Sequence, residues 1–354
     1  MMRRPHFVGP ALLIAAVVVA VSLGPVVPWR SRAGADRLLE RALVSVTVPP
    51  TTAAPTTVPP PPPPPTAPPT TVPPPPAPAP APPAKFTLAP YRGLGAWLDV
   101  YDWSTYYARY SPAVEVDAID ALAAQGVQTL FIQATRWDAP VDILEPERLQ
   151  AFIDRAHQHG IAVVGWYLPT LEDPSRDLQR LLAIAAMSVD GVAVDIEARN
   201  VGDAAERSRR LVQLSTALRA ALPGEVIGAI PLEPVLMEDI NPRFWPGFPW
   251  AEIAPSYDVW LPMSYWTNRR GDSPWRDAYL YTATNIDRLR AHIGRPDAPV
   301  HVLGGIGDAT TASDVIGFRI AGTERGAIGG SIYDFRTTAA PLWPELLPFR
   351  GLRP

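Results

Sequence analysis

Two carboxylates close a short apolar run in the middle of the chain, and their spacing suits acid catalysis. Asp195 and Glu197 end the segment Asp190–Glu197, whose side chains between the acids are small or aliphatic. In a β-strand, residues two apart share a face, with Cα atoms about 6.6 Å apart. Like charges that close raise the pKa of one group, which keeps a proton available for donation. We predict Glu197, at the strand end, as a general acid and Asp195 as the group that orients or stabilises.

A structural ion pair is the alternative explanation of these two acids. The candidate partner is Arg199, which follows Glu197 by two residues, or another arginine. Ion-pair networks also perturb pKa values, so the spacing alone does not separate catalysis from structure.

Further acids and aromatic residues follow other predicted strands. Flat aromatic faces stack on sugar rings, and carboxylates transfer protons, so this combination favours a carbohydrate ligand. No cofactor motif or metal-ligand pattern stands among them, and we expect neither a cofactor nor a metal. Tyr265 joins the two acids as a catalytic candidate. The candidate substrate-binding residues are Asp99, Trp137, Trp166, Tyr167, Glu233, Trp266, Tyr333 and Asp334.

Eight short β-branched runs are spaced at about the length of one βα unit, which predicts a (β/α)₈ barrel. In such barrels the active site lies at the carboxyl ends of the strands. An open doubly wound sheet is the alternative, but the first strand lacks the Gly-rich loop that usually follows it. The predicted strands are Gly93–Val100, Thr129–Ala134, Ala162–Tyr167, Gly191–Ile196, Val226–Ala229, Val259–Met263, Val300–Gly304 and Ile328–Tyr333.

Helix signals lie between these runs. Asp173 before Pro174 predicts an N-cap for a helix over Ser175–Met187, and Thr311 with Asp314 resembles a capping box. Helical spacing of apolar residues predicts further helices. These cover Ala204–Leu222, Tyr279–Ile293 and Ala312–Arg325.

Composition divides the chain at Lys85. The 354 residues carry a net charge of −4, but six arginines and only two acids precede Lys85, which leaves −8 on the remainder. An acidic domain is a poor nucleic-acid ligand, since phosphate contacts need clustered basic residues. The chain has no cysteine, which excludes disulfides and thiolate metal sites.

The first 84 residues predict export and tethering. Residues 1–6 are expected to be cytoplasmic, and residues 7–28 form a transmembrane signal anchor or a cleaved signal peptide. Residues 29–47 are juxtamembrane, and the Pro/Thr-rich residues 48–84 are expected to be a disordered linker. The barrel domain, residues 85–354, is then extracellular on a single-pass membrane protein, or secreted if the signal is cleaved.

The octet Asp190–Glu197 resembles the strand-four signature D-G-x-D-x-D-x-E of family-18 glycoside hydrolases, the chitinase-like barrels. Ala193 replaces the middle acid. The resemblance implies that Glu197 protonates the glycosidic oxygen and that Asp195 orients the substrate's acetamido group, which acts as the nucleophile. Met263-Ser264-Tyr265 is similar to that family's Met-x-Tyr, whose Tyr hydrogen-bonds the acetamido carbonyl. The sequence departs from that family's pattern at three further places. Trp266 follows this Tyr where an acid or Asn is usual, and Tyr333 stands near the place of a strand-eight Trp. The family's strand-three serine-glycine pattern is absent.

The opening strands resemble family-25 lysozymes instead. Leu98–Trp103 is similar to their Asp-containing first strand, and Phe131–Thr135 to a Phe-Ile-Lys-Ala-Thr second strand, with Gln133 in place of the Lys. Those lysozymes have fewer regular helices late in the barrel, so the late helical patterns here favour the chitinase-like resemblance. Both imply cleavage next to an N-acetylated sugar.

Three functions follow as hypotheses. The first is a hydrolase of a polymer of N-acetylated sugars, peptidoglycan or chitin-like, acting as a monomer. The second is a decayed, non-catalytic barrel that binds the same polysaccharide. The third is a barrel enzyme of another class, for which the glycines Gly304, Gly305 and Gly307 are the only indication, because barrel phosphate sites use this loop.

Overall fold

The computed structural model of the chain describes residues 84–109 and 111–352. The predicted cytoplasmic, transmembrane and juxtamembrane segments lie outside these residues, as does the linker up to residue 83. Among the described helices, none has the length and hydropathy that crossing a bilayer requires.

Eight parallel strands form one sheet, and the barrel prediction is confirmed. Pairing follows the order β6-β5-β4-β3-β2-β1-β8-β7, so β1 lies between β2 and β8. The strands are β1 Gly93–Leu98, β2 Thr129–Gln133, β3 Ala162–Tyr167, β4 Gly191–Ile196, β5 Ile227–Pro231, β6 Val259–Trp260, β7 His301–Ile306 and β8 Gly329–Tyr333.

The seam between β6 and β7 is the least regular part of the sheet. Strand β6 ends at Trp260 instead of Met263, because Pro262 has no N–H to continue the ladder. Two isolated parallel bridges still join the edges, Trp260 with Val300 and Met263 with Leu303. These bridges bring the chain after β6, including Tyr265, to the mouth of the barrel.

Helices surround the sheet, and the predicted caps are confirmed. The Asp173 carboxylate accepts hydrogen bonds from the N–H groups of Ser175 and Arg176. Thr311 and Asp314 cap each other reciprocally. The helices are α1 Val100–Trp103, α2 Ala118–Ala124, α3 Pro146–Gln158, α4 Pro174–Ala186, α5 Ala204–Ala221, α6 Trp250–Ile253, α7 Ala278–His292, α8 Ala312–Glu324 and α9 Trp343–Leu346.

Tyr91 fills the amino-terminal end of the barrel and explains the small residues at the start of β4. Its side chain is fully buried, and its hydroxyl donates to the Val192 carbonyl at 2.8 Å. A Cβ at Gly191 would lie 2.9 Å from the Tyr91 hydroxyl, so Gly191 faces the interior. Because side chains alternate, Ala193, Asp195 and Glu197 face inward as well. The strand thus carries its two acids up the interior towards the carboxyl end.

Candidate active site

Asp195 and Glu197 end β4 without any compensating positive charge. Asp195 is 7% exposed, and its Oδ1 has no hydrogen-bond partner. Glu197, just beyond the strand, is partly exposed at the mouth. Among the described residues no basic side chain pairs with either acid, and the Arg199 guanidinium lies over the Phe244 ring instead. The alternative that Arg199 neutralises these acids is therefore wrong.

This environment keeps protons on the two acids. Burial raises the pKa of Glu197 from 4.5 to about 7, and the charge of Glu233 adds to the effect. Burial also raises the pKa of Asp195 well above its ordinary value, and the charge of Glu197 raises it further. A carboxyl group with a pKa near 7 holds its proton at neutral pH and can release it to a basic oxygen.

Tyr265 and Tyr333 face this acidic interior from the other side of the barrel. Their rings lie 6.2 Å apart in an edge-to-face arrangement. Burial raises the pKa of Tyr265 well above its ordinary value, and the nearby charges of Glu197 and Asp195 act in the same direction. The Tyr265 hydroxyl therefore stays protonated and can donate a hydrogen bond.

Glu233 provides a third buried carboxylate, at the end of β5. Its side chain is 1% exposed, and its Oε1 accepts a hydrogen bond from the Tyr281 hydroxyl at 2.8 Å. The Arg269 guanidinium lies 3.8 Å from the same oxygen, while Oε2 has no partner among the described residues. Burial raises the pKa of Glu233, and Arg269 opposes this. Glu233 therefore keeps one unused acceptor oxygen, buried in the interior.

A second group of acids lies where β1 and β8 end. Asp99 accepts a hydrogen bond from the Tyr333 hydroxyl at 2.9 Å, and Asp334 accepts one from the Thr337 N–H at 2.9 Å. Asp102, 1% exposed, has a pKa raised to about 7, first by burial and then by the charges of Asp99 and Asp334.

One carboxylate oxygen from each of Asp99, Asp102 and Asp334 lies within 4.8 Å of the others, so these three could hold a cation. The Arg336 guanidinium already supplies a positive charge there, 2.5 Å from Asp102.

Two of the tryptophans predicted to bind substrate, Trp137 and Trp166, differ in exposure. Trp137 is 41% exposed on the rim after β2, beside the Arg136 guanidinium. Trp166 lies inside the barrel, 4% exposed and 5.9 Å from the Trp97 ring, and its Nε1 has no partner among the described residues. Of these two, only Trp137 is exposed, with the Arg136 guanidinium 5.1 Å from the centre of its ring. Trp166 can at most offer an N–H to the interior.

Tyr167 and Trp266 lie on the helical side of the sheet, contrary to the prediction that they bind substrate. The Tyr167 hydroxyl donates to Asp177 in α4 at 2.7 Å. Trp266 is fully buried, with its ring 5.2 Å from Phe318 in α8. Neither ring can offer a face to a sugar.

The sequence did not reveal several residues that shape this mouth. Arg269 and Tyr281 surround Glu233, and they come from a loop and a helix far away in the chain. Trp97 is different, because alternation along β1 places it on the same face as Asp99 and could have identified it. Its ring stacks on Phe131 at 4.4 Å, and its Nε1 donates to Ser331 at 2.8 Å.

Replacing Glu197 by Gln should stabilise the protein at alkaline pH. The folded chain holds the Glu197 proton up to about pH 7, whereas the unfolded chain loses it near 4.5. Stability therefore falls as pH rises through this window, and the neutral amide removes the loss. We expect Glu197→Gln to add about 2 kcal/mol to the free energy of unfolding at pH 8 and much less at pH 5. Urea unfolding at both pH values measures this, and equal differences at the two would contradict it.

The fold defines a (β/α)₈ barrel whose carboxyl end carries acids and tyrosines. In fold the chain is similar to family-18 chitinase-like proteins and related glycoside hydrolases. No model of a known protein family matches the sequence, and no curated protein matches it in sequence.

Three solved structures illustrate the similarity. The C-terminal domain of a putative chitinase from Desulfitobacterium hafniense is 11% identical with a TM-score of 0.55, and the match covers 74% of this chain and 99% of that one. The Bacillus cereus spore cortex-lytic enzyme SleL is 12% identical with a TM-score of 0.53, covering 73% and 74%. A GH18 chitinase variant from Cycas revoluta, in complex with (GlcNAc)₄, is 11% identical with a TM-score of 0.53, covering 72% and 98%.

Proposed function

We propose that this protein is an extracytoplasmic glycoside hydrolase that cleaves a polymer of N-acetylated sugars. Glu197 donates a proton to the glycosidic oxygen as the bond from that oxygen to the anomeric carbon breaks, and Asp195 orients the acetamido group, whose oxygen forms the new bond to the anomeric carbon. Water, giving its proton to Glu197, then attacks the same carbon, opens the cyclic intermediate and restores the acid. The Tyr265 hydroxyl donates a hydrogen bond to the acetamido carbonyl. The observation that carries the proposal is an unpaired Glu197 with a pKa near 7 at the mouth of a barrel, on one strand face with Asp195.

The neighbouring acids and rings complete the proposed cleft. Glu233 has a free oxygen for a sugar hydroxyl, and Asp99, Tyr333 and Asp334 line the side formed by β1 and β8. Trp137 on the rim is the proposed stacking face. Fold similarity to chitinases and to a cortex-lytic enzyme supports glycan cleavage.

We propose that the domain acts outside the cell, tethered by the N-terminal segment. Residues 7–28 provide an uncharged stretch of membrane-spanning length, and residues 48–84 provide a proline-rich stalk. A polysaccharide of the cell envelope would then lie within reach of the domain.

A glycan-binding barrel without turnover is the second candidate. Ala193 stands where the resembling family has the middle acid of its strand-four signature, and this observation favours the alternative. Such a protein would bind the polymer equally well with Gln at position 197.

The test is the release of reducing ends by the full-length protein from peptidoglycan and from N-acetylglucosamine oligomers. Release by the native protein supports the hydrolase. Binding without release supports the non-catalytic barrel, and neither binding nor release contradicts both.

The charge of Glu233 should extend the activity to higher pH, in addition to the effect of burial on Glu197. It helps to raise the pKa of Glu197 to about 7, and the acid works only while protonated. We expect Glu233→Gln to move the alkaline limb of kcat about 0.5 to 1 pH unit lower, because the pKa of Glu197 falls. Rate profiles from pH 4 to 9 measure this, with Glu252→Gln as an exposed control. An unmoved limb would show that Glu233 does not act on Glu197.

A further inference from the structure

Arg207 is a buried guanidinium without a carboxylate partner among the described residues. It lies in α5, 2% exposed, and donates to the carbonyls of Val201 at 3.4 Å and Phe244 at 2.7 Å. Its guanidinium lies 4.2 Å from the centre of the Trp245 ring, and its Nε has no acceptor. A buried charge without a counter-charge is costly, so Arg207 leaves an uncompensated positive charge beside Trp245.

Arg199 adds a second positive charge at the same place. It follows Glu197 by two residues, is exposed, and lies 4.8 Å over the Phe244 ring. Burial lowers the pKa of Arg207, and the charge of Arg199 lowers it further, so the two guanidinium groups repel each other. We call these two arginines, with Phe244 and Trp245, the arginine shelf.

The arginine shelf differs from the other arginines around the mouth. Arg136 pairs with Asp138, Arg336 pairs with Asp102, and Arg269 lies near Glu233. The domain as a whole carries excess negative charge. The arginine shelf, which includes Arg199 two residues after Glu197 in the chain, therefore offers unpaired positive charge to an anion that arrives with the substrate.

We propose that Arg199 binds a carboxylate carried by the glycan. The buried Arg207 does not contact this carboxylate but strengthens the positive potential at Arg199. The proposal rests on the proposed function and narrows its substrate to an acidic glycan. Stacking on Phe244 holds the planar guanidinium in place and leaves donors open for a bidentate contact. Peptidoglycan carries carboxylates on its peptide stems, whereas chitin is neutral, so peptidoglycan is the favoured polymer.

Binding to the full-length protein with Glu197→Gln tests this without cleavage. Calorimetric titrations use four ligands: (GlcNAc)₄, a peptidoglycan disaccharide-peptide, the same compound with amidated carboxylates, and a uronic-acid oligomer. We expect Arg199→Gln to weaken the affinity for the disaccharide-peptide about tenfold and to leave the affinity for (GlcNAc)₄ unchanged. Amidating the carboxylates of the disaccharide-peptide should weaken its binding to the protein with Arg199 by the same factor. Tight binding of the uronic-acid oligomer in preference to the disaccharide-peptide would assign the carboxylate to the sugar ring and overturn the choice of peptidoglycan.

Arg350→Gln is the matched control. Arg350 is exposed and lies beside Gly126, at the amino-terminal end of the barrel. Its substitution therefore removes one positive charge far from Glu197. It should leave all four affinities unchanged, and thermal melting checks that both variants fold. Equal losses for the neutral and acidic ligands with Arg199→Gln, or no loss at all, would overturn the proposal. Charge-selective binding together with no release of reducing ends by the native protein would overturn the hydrolase and leave the arginine shelf standing.

Discussion

Glu197→Gln is expected to lower the rate of glycan cleavage by about 10²- to 10⁴-fold, the usual contribution of a general acid. The amide is nearly the same size as the acid but cannot give a proton to the departing sugar oxygen. Substrate affinity should change little, because the loss concerns the transition state. Reducing-end assays at pH 6, where the native Glu197 is largely protonated, give the largest difference.

Glu252→Gln provides the control for this substitution. Glu252 is an exposed residue of α6, and the change should leave the rate unaltered. If the Glu197→Gln protein retains most of the native rate, Glu197 is not the general acid, and Glu233 or Asp334 becomes the candidate.

The barrel is predictable from sequence because its signals are local. β-branched runs, caps such as Asp173 and Thr311, and the spacing of βα units do not depend on distant residues. Strands β3 and β4 are the best cases, since their predicted limits are the observed ones. Strand β6 is the poorest, because its pairing depends on how the seam with β7 accommodates Pro262.

The face of a barrel strand is harder to predict than the strand itself. Parallel strands are buried on both sides, so both faces are apolar and hydrophobicity does not separate interior from helical layer. Tyr167 shares its face with Gly165, where a Cβ would lie 2.5 Å from Ile184 of α4. For Trp266 the alternation is interrupted by the irregular chain after Pro262, and its ring turns towards α8.

The electrostatics of the site depend on pairs far apart in sequence. Asp102 and Arg336 are separated by 234 residues, and Glu233 and Tyr281 by 48. No local pattern links such residues, because the closure of the barrel brings them together. The sequence could therefore nominate Asp195, Glu197 and Tyr265, but not the burial and neighbouring charge that raise the pKa of Glu197 to about 7.

Tyr265→Phe is expected to reduce kcat by about 10²-fold, because the hydroxyl holds the attacking acetamido oxygen in position and a misplaced nucleophile reacts more slowly. In the proposed mechanism the nucleophile is the carbonyl oxygen of the acetamido group. The Tyr265 hydroxyl orients this oxygen, so its contribution is largest in the transition state. The hydroxyl stays protonated, because burial and the nearby acids raise its pKa. Phenylalanine keeps the ring contact with Tyr333, 6.2 Å between centroids, so packing is preserved. Steady-state kinetics on N-acetylglucosamine oligomers should show the loss in kcat and a small change in KM.

Tyr333→Phe separates this role from a general effect of the tyrosines. Its hydroxyl donates to Asp99, and not directly to the proposed nucleophile, so its removal should cost less than the Tyr265 change. Equal losses in the two variants would mean that both rings only shape the cleft. A Tyr265→Phe protein with the native kcat would exclude the acetamido group as the nucleophile held by Tyr265, and a mechanism with Glu233 or Asp334 as the second carboxylate would then account better for the same cleft.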